Sequence, residues 1–260
     1  MANVLDVVPA WAIMLVVAAL ILVVSEGGSL VAKLQRLPHE HDAGAGVVQN
    51  AAFTITGLLL GFSFALALGR DVNRRLTYVQ ECNAIEATYM RASLLDDSTA
   101  KYVREQLREY VGYRIDFIRA EGDLPRRAAD TVQSKRLQDN IWRAGAQAER
   151  RDSRSTGIPL LLASVTDTIG TGNLQNALLS THIPDIVIVA LVLIALVAAG
   201  MMGFVFERAG KKDTAPRILY ALVFALSIGL VYDLDRPQAG FVRISLAPMI
   251  ALQDRMNASP

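Results

Sequence analysis

The stretch Ala51-Ala-Phe-Thr-Ile-Thr-Gly57-Leu-Leu-Leu-Gly61-Phe-Ser-Phe-Ala-Leu-Ala-Leu-Gly69, followed at once by Arg70-Asp-Val-Asn-Arg-Arg75, decides how this chain is read. Residues 51–69 carry no ionisable side chain. As a helix they rise about 28 Å, close to the roughly 30 Å of a bilayer's hydrocarbon core. Charge then begins abruptly, with no Gly or Pro from Arg70 until Gly112 to end a helix. A helix that crosses a membrane and continues into water is the expectation.

Working outward, 7–25, 43–69, 186–206 and 218–232 are also free of Asp, Glu, Lys and Arg. Of the 260 residues, 52% are hydrophobic and 20% charged. Mean hydropathy is +0.32. Charge is therefore segregated rather than scarce, which excludes a wholly soluble or a disordered chain. A net charge of +1 lacks the basic excess that a general nucleic-acid binder needs. The single cysteine, Cys82, excludes an intramolecular disulfide and any cysteine-rich metal site, and reads as a packing residue.

The first span runs Val7 to Ser25, between Asp6 and Glu26. No Lys or Arg precedes it, so it reads as a retained helix rather than a cleaved signal, with Pro9 in its first turn. A Gly-rich hairpin loop, Asp42 to Gly46, leads to the second span. The third follows Pro184 and covers Ile186 to Phe206. The fourth, Ile218 to Tyr232, rises only about 22 Å. Extension to Arg236 brings it to spanning length.

Between spans two and three, the polar helix continues to about Leu95. Asp96-Asp97-Ser98 supplies caps for a second helix with Val103, Leu107, Tyr110 and Phe117 on its apolar stripe. After a break at Gly122 to Pro125, a third helix carries Leu137, Ile141, Ala144 and Ala148. After Gly157 and Pro159, a fourth contains Leu162, Val165 and Ile169. The expected fold is all-α: a polytopic membrane protein with four transmembrane helices and a helical bundle inserted between the second and third. Its parts are 1–69 (helices 1 and 2), 70–183 (extramembrane domain), 184–236 (helices 3 and 4) and 237–260 (C-terminal tail).

Catalytic signatures are missing: no Gly-Lys-Ser/Thr phosphate loop, no nucleophile elbow, no His pair flanking a helical Glu. His39 and His41 around Glu40 read as a solvated loop, and an enzyme is not expected. Few charges lie within the spans, against a proton-coupled transporter. On the second span, Phe53, Thr56, Gly57, Leu60 and Phe64 fall within one arc of about 100°. This face suits a tightly packed central helix, and equally a pore lining with apolar constrictions. Gly57 and Gly61, four apart, permit close helix approach.

A charged cluster is expected where the second and fourth spans leave the membrane. Arg70, Arg74, Arg75, Glu81 and Asn83 follow one span, while Asp233, Asp235 and Arg236 end the other. The plainer reading pairs Asp233 and Asp235 with the arginines, because charge at partly buried depth is costly when unpaired. The sharper one gathers Glu81, Asp233 and Asp235 around a divalent cation, the one cofactor considered.

Gly57-Leu-Leu-Leu-Gly-Phe-Ser-Phe64, Arg74-Arg75, Glu81-Cys-Asn-Ala-Ile85, Tyr89 and Arg91 resemble the bacterial bestrophin-like family, catalogued as a domain of unknown function. So do His182-Ile-Pro184 and Leu234-Asp-Arg-Pro237 with Gly240, and the resemblance covers roughly 50–250. It implies four spans with a helical domain between the second and third. Bestrophins proper are pentameric anion channels with an apolar neck on the second span and a calcium site at the cytosolic domain. The layout and the apolar second-span face are what carry over.

Two functions remain open: a homo-oligomeric, anion-permeable channel with helix 2 lining the pore, or a non-conducting scaffold or sensor that presents the helical domain to a partner. The expected partners are further copies of the chain, the lipid bilayer and permeant ions. The expected location is the bacterial inner membrane. Basic residues divide evenly across it: Lys33, Arg36, Arg208, Lys211, Lys212 and Arg217 against Arg70, Arg74, Arg75, Arg236, Arg243 and Arg255. The positive-inside rule is therefore silent, and the resemblance places the domain in the cytosol.

Overall fold

The computed structural model describes residues 8–34, 42–120, 123–210, 214–235 and 242–258. Among them every regular element is helical: α1 (Ala10–Leu34), α2 (Asp42–Arg91), a single 3-10 turn (Ala92–Leu94), α3 (Asp97–Arg119), α4 (Leu124–Arg151), α5 (Gly157–Ser180), α6 (Asp185–Arg208), α7 (Ala215–Asp235) and α8 (Ala247–Ala258). Among the described residues four segments are long and apolar enough to cross a membrane: Ala10–Leu34, Gly46–Leu94, Gly157–Arg208 and Ala215–Asp235. The chain divides into two compact units. One reaches Asp71 and resumes from His182 to Val242; the other holds Val72–Thr181 and the chain from Arg243.

Within the first unit, α1 packs on α6 and α7. The closest seam is built from small residues. A Cβ at Gly28 would fall onto the backbone of Gly200, and one at Gly203 onto that of Ser25. Ser29 Oγ donates to Gly203 O at 3.1 Å. With no water to expel inside a bilayer, helices associate through such close packing. Val17, Ile21, Leu191, Ala195, Ala198, Ala199 and Met202 are buried alongside. Arg217 donates to Glu26 Oε1 at 2.7 Å, joining α7 to α1.

In the second unit, α4 lies between α3 and α5, and α8 packs on α3. Asp96 caps α3 by accepting from Thr99 N at 3.0 Å. Asp123 caps α4 in the same way, accepting from Arg126 N at 3.0 Å. Leu107, Val103, Ile141, Leu161 and Val165 form the core with Tyr78 and Ile85 of α2.

Two details differ from the sequence reading. Asp42–Gly46 is the first turn of α2 rather than a hairpin loop; alternating Ala and Gly lower helix propensity without forbidding it. The 237–260 tail contains α8, whose Met249, Leu252 and Met256 enter the core of the second unit. The fourth span does continue past Tyr232, to Asp235, a rise of about 30 Å. Arg36, His39, His41, Lys211, Lys212, Arg236, Pro237 and Gly240 lie outside the described residues.

Candidate functional site

The candidate site is built on α2, whose two faces have different fates. One is buried against the chain itself. Thr56, Ser63 and Ala67 are buried in the first unit, where Ala52, Phe53, Leu59 and Leu60 pack against its apolar core. The Phe53 ring lies 5.2 Å from that of Tyr220. Tyr220 is held by its hydroxyl, which donates to Ala195 O at 3.0 Å. Thr56 Oγ1 donates to Ala52 O at 2.6 Å, the usual way to satisfy a hydroxyl inside an apolar helix.

Of the five residues read as one pore face, Phe53, Thr56 and Leu60 thus turn toward the chain's own core. Gly57 is exposed and Phe64 is 37% exposed. The opposite face carries Leu58 (57% exposed), Phe62 (60%) and Leu66 (58%), at successive turns. A Cβ at Gly57 or Gly61 would meet nothing within 4 Å. Close approach by glycine within the chain occurs between α1 and α6. The signal for that seam was present in Ser25, Gly28, Ser29 and Ala32 on α1, and in Ala195, Ala199 and Gly203 on α6.

The charged extension of α2 enters the second unit. Arg70 and Arg75 are half-buried, Asn83 is exposed, and Arg74 and Glu81 are buried. Glu81 faces Arg114 of α3: Nε stands 2.6 Å from Oε1, and Nη2 donates to Oε2 at 3.0 Å. Tyr110 donates its hydroxyl to Glu81 Oε1 at 3.1 Å and accepts from Gln138 Nε2 at 3.1 Å. Arg114 Nη1 donates to Asn176 Oδ1 at 2.8 Å, and the guanidinium lies 5.0 Å from the centre of the Phe117 ring. Burial opposes the Arg114 charge, yet Glu81 and then Tyr110 outweigh it, so its pKa is raised. Burial, followed by the Glu81 charge, also raises the Tyr110 pKa and keeps it a hydroxyl donor. Arg114 was missed by sequence reading. Its mark was a charged residue at the position where the stripe Leu107, Tyr110, Phe117 calls for an apolar one.

Asp235 and Asp233 hold backbone in the first unit. Both oxygens of Asp235 accept from Ile183 N, at 3.0 and 2.9 Å, and His182 Nδ1 stands 3.8 Å from Oδ2. Asp233 Oδ2 accepts from Val242 N at 3.0 Å. Ile183, just before α6, is thus held by Asp235 at the end of α7, which braces the entry to α6. Among the described residues no three His, Cys, Asp or Glu side chains form a group able to hold a metal ion. Both oxygens of Glu81 already face the guanidinium of Arg114.

Four apolar helices of membrane-spanning length and a charged helical bundle, the described residues holding no strand, define an all-α polytopic membrane protein. The chain belongs to the bestrophin-like family, whose model, described as "Bestrophin-like domain", matches residues 12–249. No curated protein matches it. Crystal structures of a bacterial bestrophin homologue from Klebsiella pneumoniae share its fold. One, of a single-site variant, is 12% identical, with a TM-score of 0.70 over 96% of this chain and 97% of that one. A second variant is 13% identical, with a TM-score of 0.68 over 93% and 98%. The form solved by zinc phasing is 13% identical, with a TM-score of 0.64 over 91% and 94%.

Proposed function

We propose that this protein is a homo-oligomeric ion channel, permeable to anions, whose pore wall is the exposed face of α2. The observation that carries the proposal is the division of that helix. Phe53, Thr56 and Leu60 pack on the chain's own core, while Leu58, Phe62 and Leu66 stand exposed at four-residue spacing. Gly57 and Gly61, with nothing in the chain above them, leave a shallow strip for a neighbouring copy beside that row. A ring of such helices would present rows of leucine and phenylalanine to its axis, a constriction that gates by dewetting.

Anion preference is supported by Arg70 and Arg75, half-buried where the span ends. Positive charge at a pore mouth raises the local concentration of anions. The ring lies in the bacterial inner membrane with the bundle in the cytosol, and no divalent cation is assigned to it.

The test is flux in liposomes. Phe62→Ala widens the constriction and should raise anion flux severalfold over wild type. Arg70→Glu should shift the reversal potential toward cations. Background flux from wild type and Phe62→Ala alike, across ions and pH, would end the channel reading in favour of a non-conducting scaffold.

A further inference from the structure

Two uncharged polar side chains deep in the second unit, on facing helices, hold polar atoms without a hydrogen-bond partner in the protein. Tyr78 of α2 is 1% exposed and Gln175 of α5 is 0% exposed. Neither Tyr78 Oη nor the Oε1 and Nε2 of Gln175 has a hydrogen-bond partner within the protein. Buried polar atoms are nearly always satisfied, and each one left bare costs about 1–3 kcal/mol. Three bare atoms on two neighbouring helices are not a tolerable resting arrangement.

The register places them together. The hydroxyls of Thr88 and Thr168 lie 2.9 Å apart, and a Cβ at Gly172 would stand 3.3 Å from Glu81 Oε1. Numbers fall along α2 as they rise along α5, so the helices run antiparallel. The next turn of each brings Tyr78 level with Gln175. The charges beside this level, Glu81 and Arg114, neutralise each other at 2.6 Å. A site beside a pair of zero net charge, lined by a phenol, an amide oxygen and an amide nitrogen, suits a neutral molecule that both donates and accepts. Ions of either sign would find half of that lining wrong.

We infer that buried water bridges Tyr78 Oη to the Gln175 amide, forming an internal hydrated site between α2 and α5. Gln175 Oε1 accepts from this water, and Gln175 Nε2 and the Tyr78 hydroxyl donate to it. Three protein partners match the usual coordination of a buried water. The site extends a polar seam along the α2–α5 contact, from the Thr88–Thr168 pair through Glu81 to Tyr78.

The sign of one substitution tests this in the full chain in detergent. With bridging water, Tyr78→Phe breaks a link and lowers the thermal midpoint by a few degrees. Gln175→Leu lowers it too, and the double variant falls by less than the sum, because both act on one bridge. An unhydrated hydroxyl predicts the reverse: Tyr78→Phe leaves the midpoint unchanged or raises it, which would overturn the inference. If Gln175→Leu does not fold, wild-type crystals decide. Water density within hydrogen-bond distance of both side chains supports the site. A blank there, or an anomalous bromide peak after soaking, refutes it.

Discussion

Arg114 and Glu81 face each other inside the helical bundle through two contacts, 2.6 Å from Nε to Oε1 and 3.0 Å from Nη2 to Oε2. The pair joins α3 to the extension of the second span, and both side chains are buried. Removing one partner of such a pair leaves a lone buried charge and costs about 3–5 kcal/mol. Arg114→Met should therefore lower stability sharply in denaturant titrations. Arg114→Met combined with Glu81→Leu should recover most of the loss. Equal loss in single and double variants would mean that packing, not charge, holds this point.

The glycine seam should be intolerant. Gly203→Leu drives a side chain into the α1 backbone at Ser25. Overpacking of this kind costs about 1–3 kcal/mol or more. Thermal denaturation of the purified protein should show a lowered midpoint, with a smaller effect for Gly57→Ala, where the chain itself offers no obstacle.

Gly57 and Gly61 should instead control assembly. Gly57→Leu is expected to leave helix content unchanged while shifting the mass of the detergent-solubilised particle toward smaller species. Light scattering coupled to size exclusion reads this directly. A variant that keeps the wild-type mass would remove the glycine strip from the interface.

Asp96 predicts a pH dependence. Hydrogen bonds from Ser98 and from the Thr99 amide lower its pKa from 3.8 to about 2. The carboxylate's contribution to the α3 cap is therefore complete above about pH 4, and is lost as pH falls through about 2. Asp96→Ala should be less stable than wild type near neutrality, and the gap should narrow as pH falls toward 2. A gap that is constant with pH would exclude the charged cap.

Asp235 should behave as a backbone clamp. Asp235→Ala strips the Ile183 amide of its acceptor, at a cost of about 1–3 kcal/mol if the amide stays buried. Calcium, magnesium or chelator should not shift the wild-type midpoint. A cation-dependent rise that vanishes in Asp235→Ala would restore an ion site here.

The spans, the breaks and the capping residues were legible because each is written locally. Charge-free length marks a membrane helix, and Asp96 sits where a helix must begin. Even the short fourth span announced a continuation past Tyr232, since Ile218 to Tyr232 is too short to cross. In the bundle, where one helix side meets water, Val103, Leu107 and Tyr110 are spaced as a stripe and are all buried.

Within the membrane that contrast disappears. Lipid-facing and protein-facing residues are equally apolar, so nothing along α2 distinguishes the side bearing Phe53 and Leu60 from the side bearing Leu58 and Phe62. Only tertiary packing, with Tyr220 against Phe53, decided which side is inward. The same holds for glycine: Gly57-x-x-x-Gly61 is the more conspicuous motif, yet Gly28 and Gly203 make the close contacts within the chain. Partners distant in sequence were also hidden. Glu81 and Arg114 are 33 residues apart, and Tyr78 and Gln175 lie on helices separated by two others. Local sequence specifies what each helix can bury; which buried groups meet depends on how the helices pack.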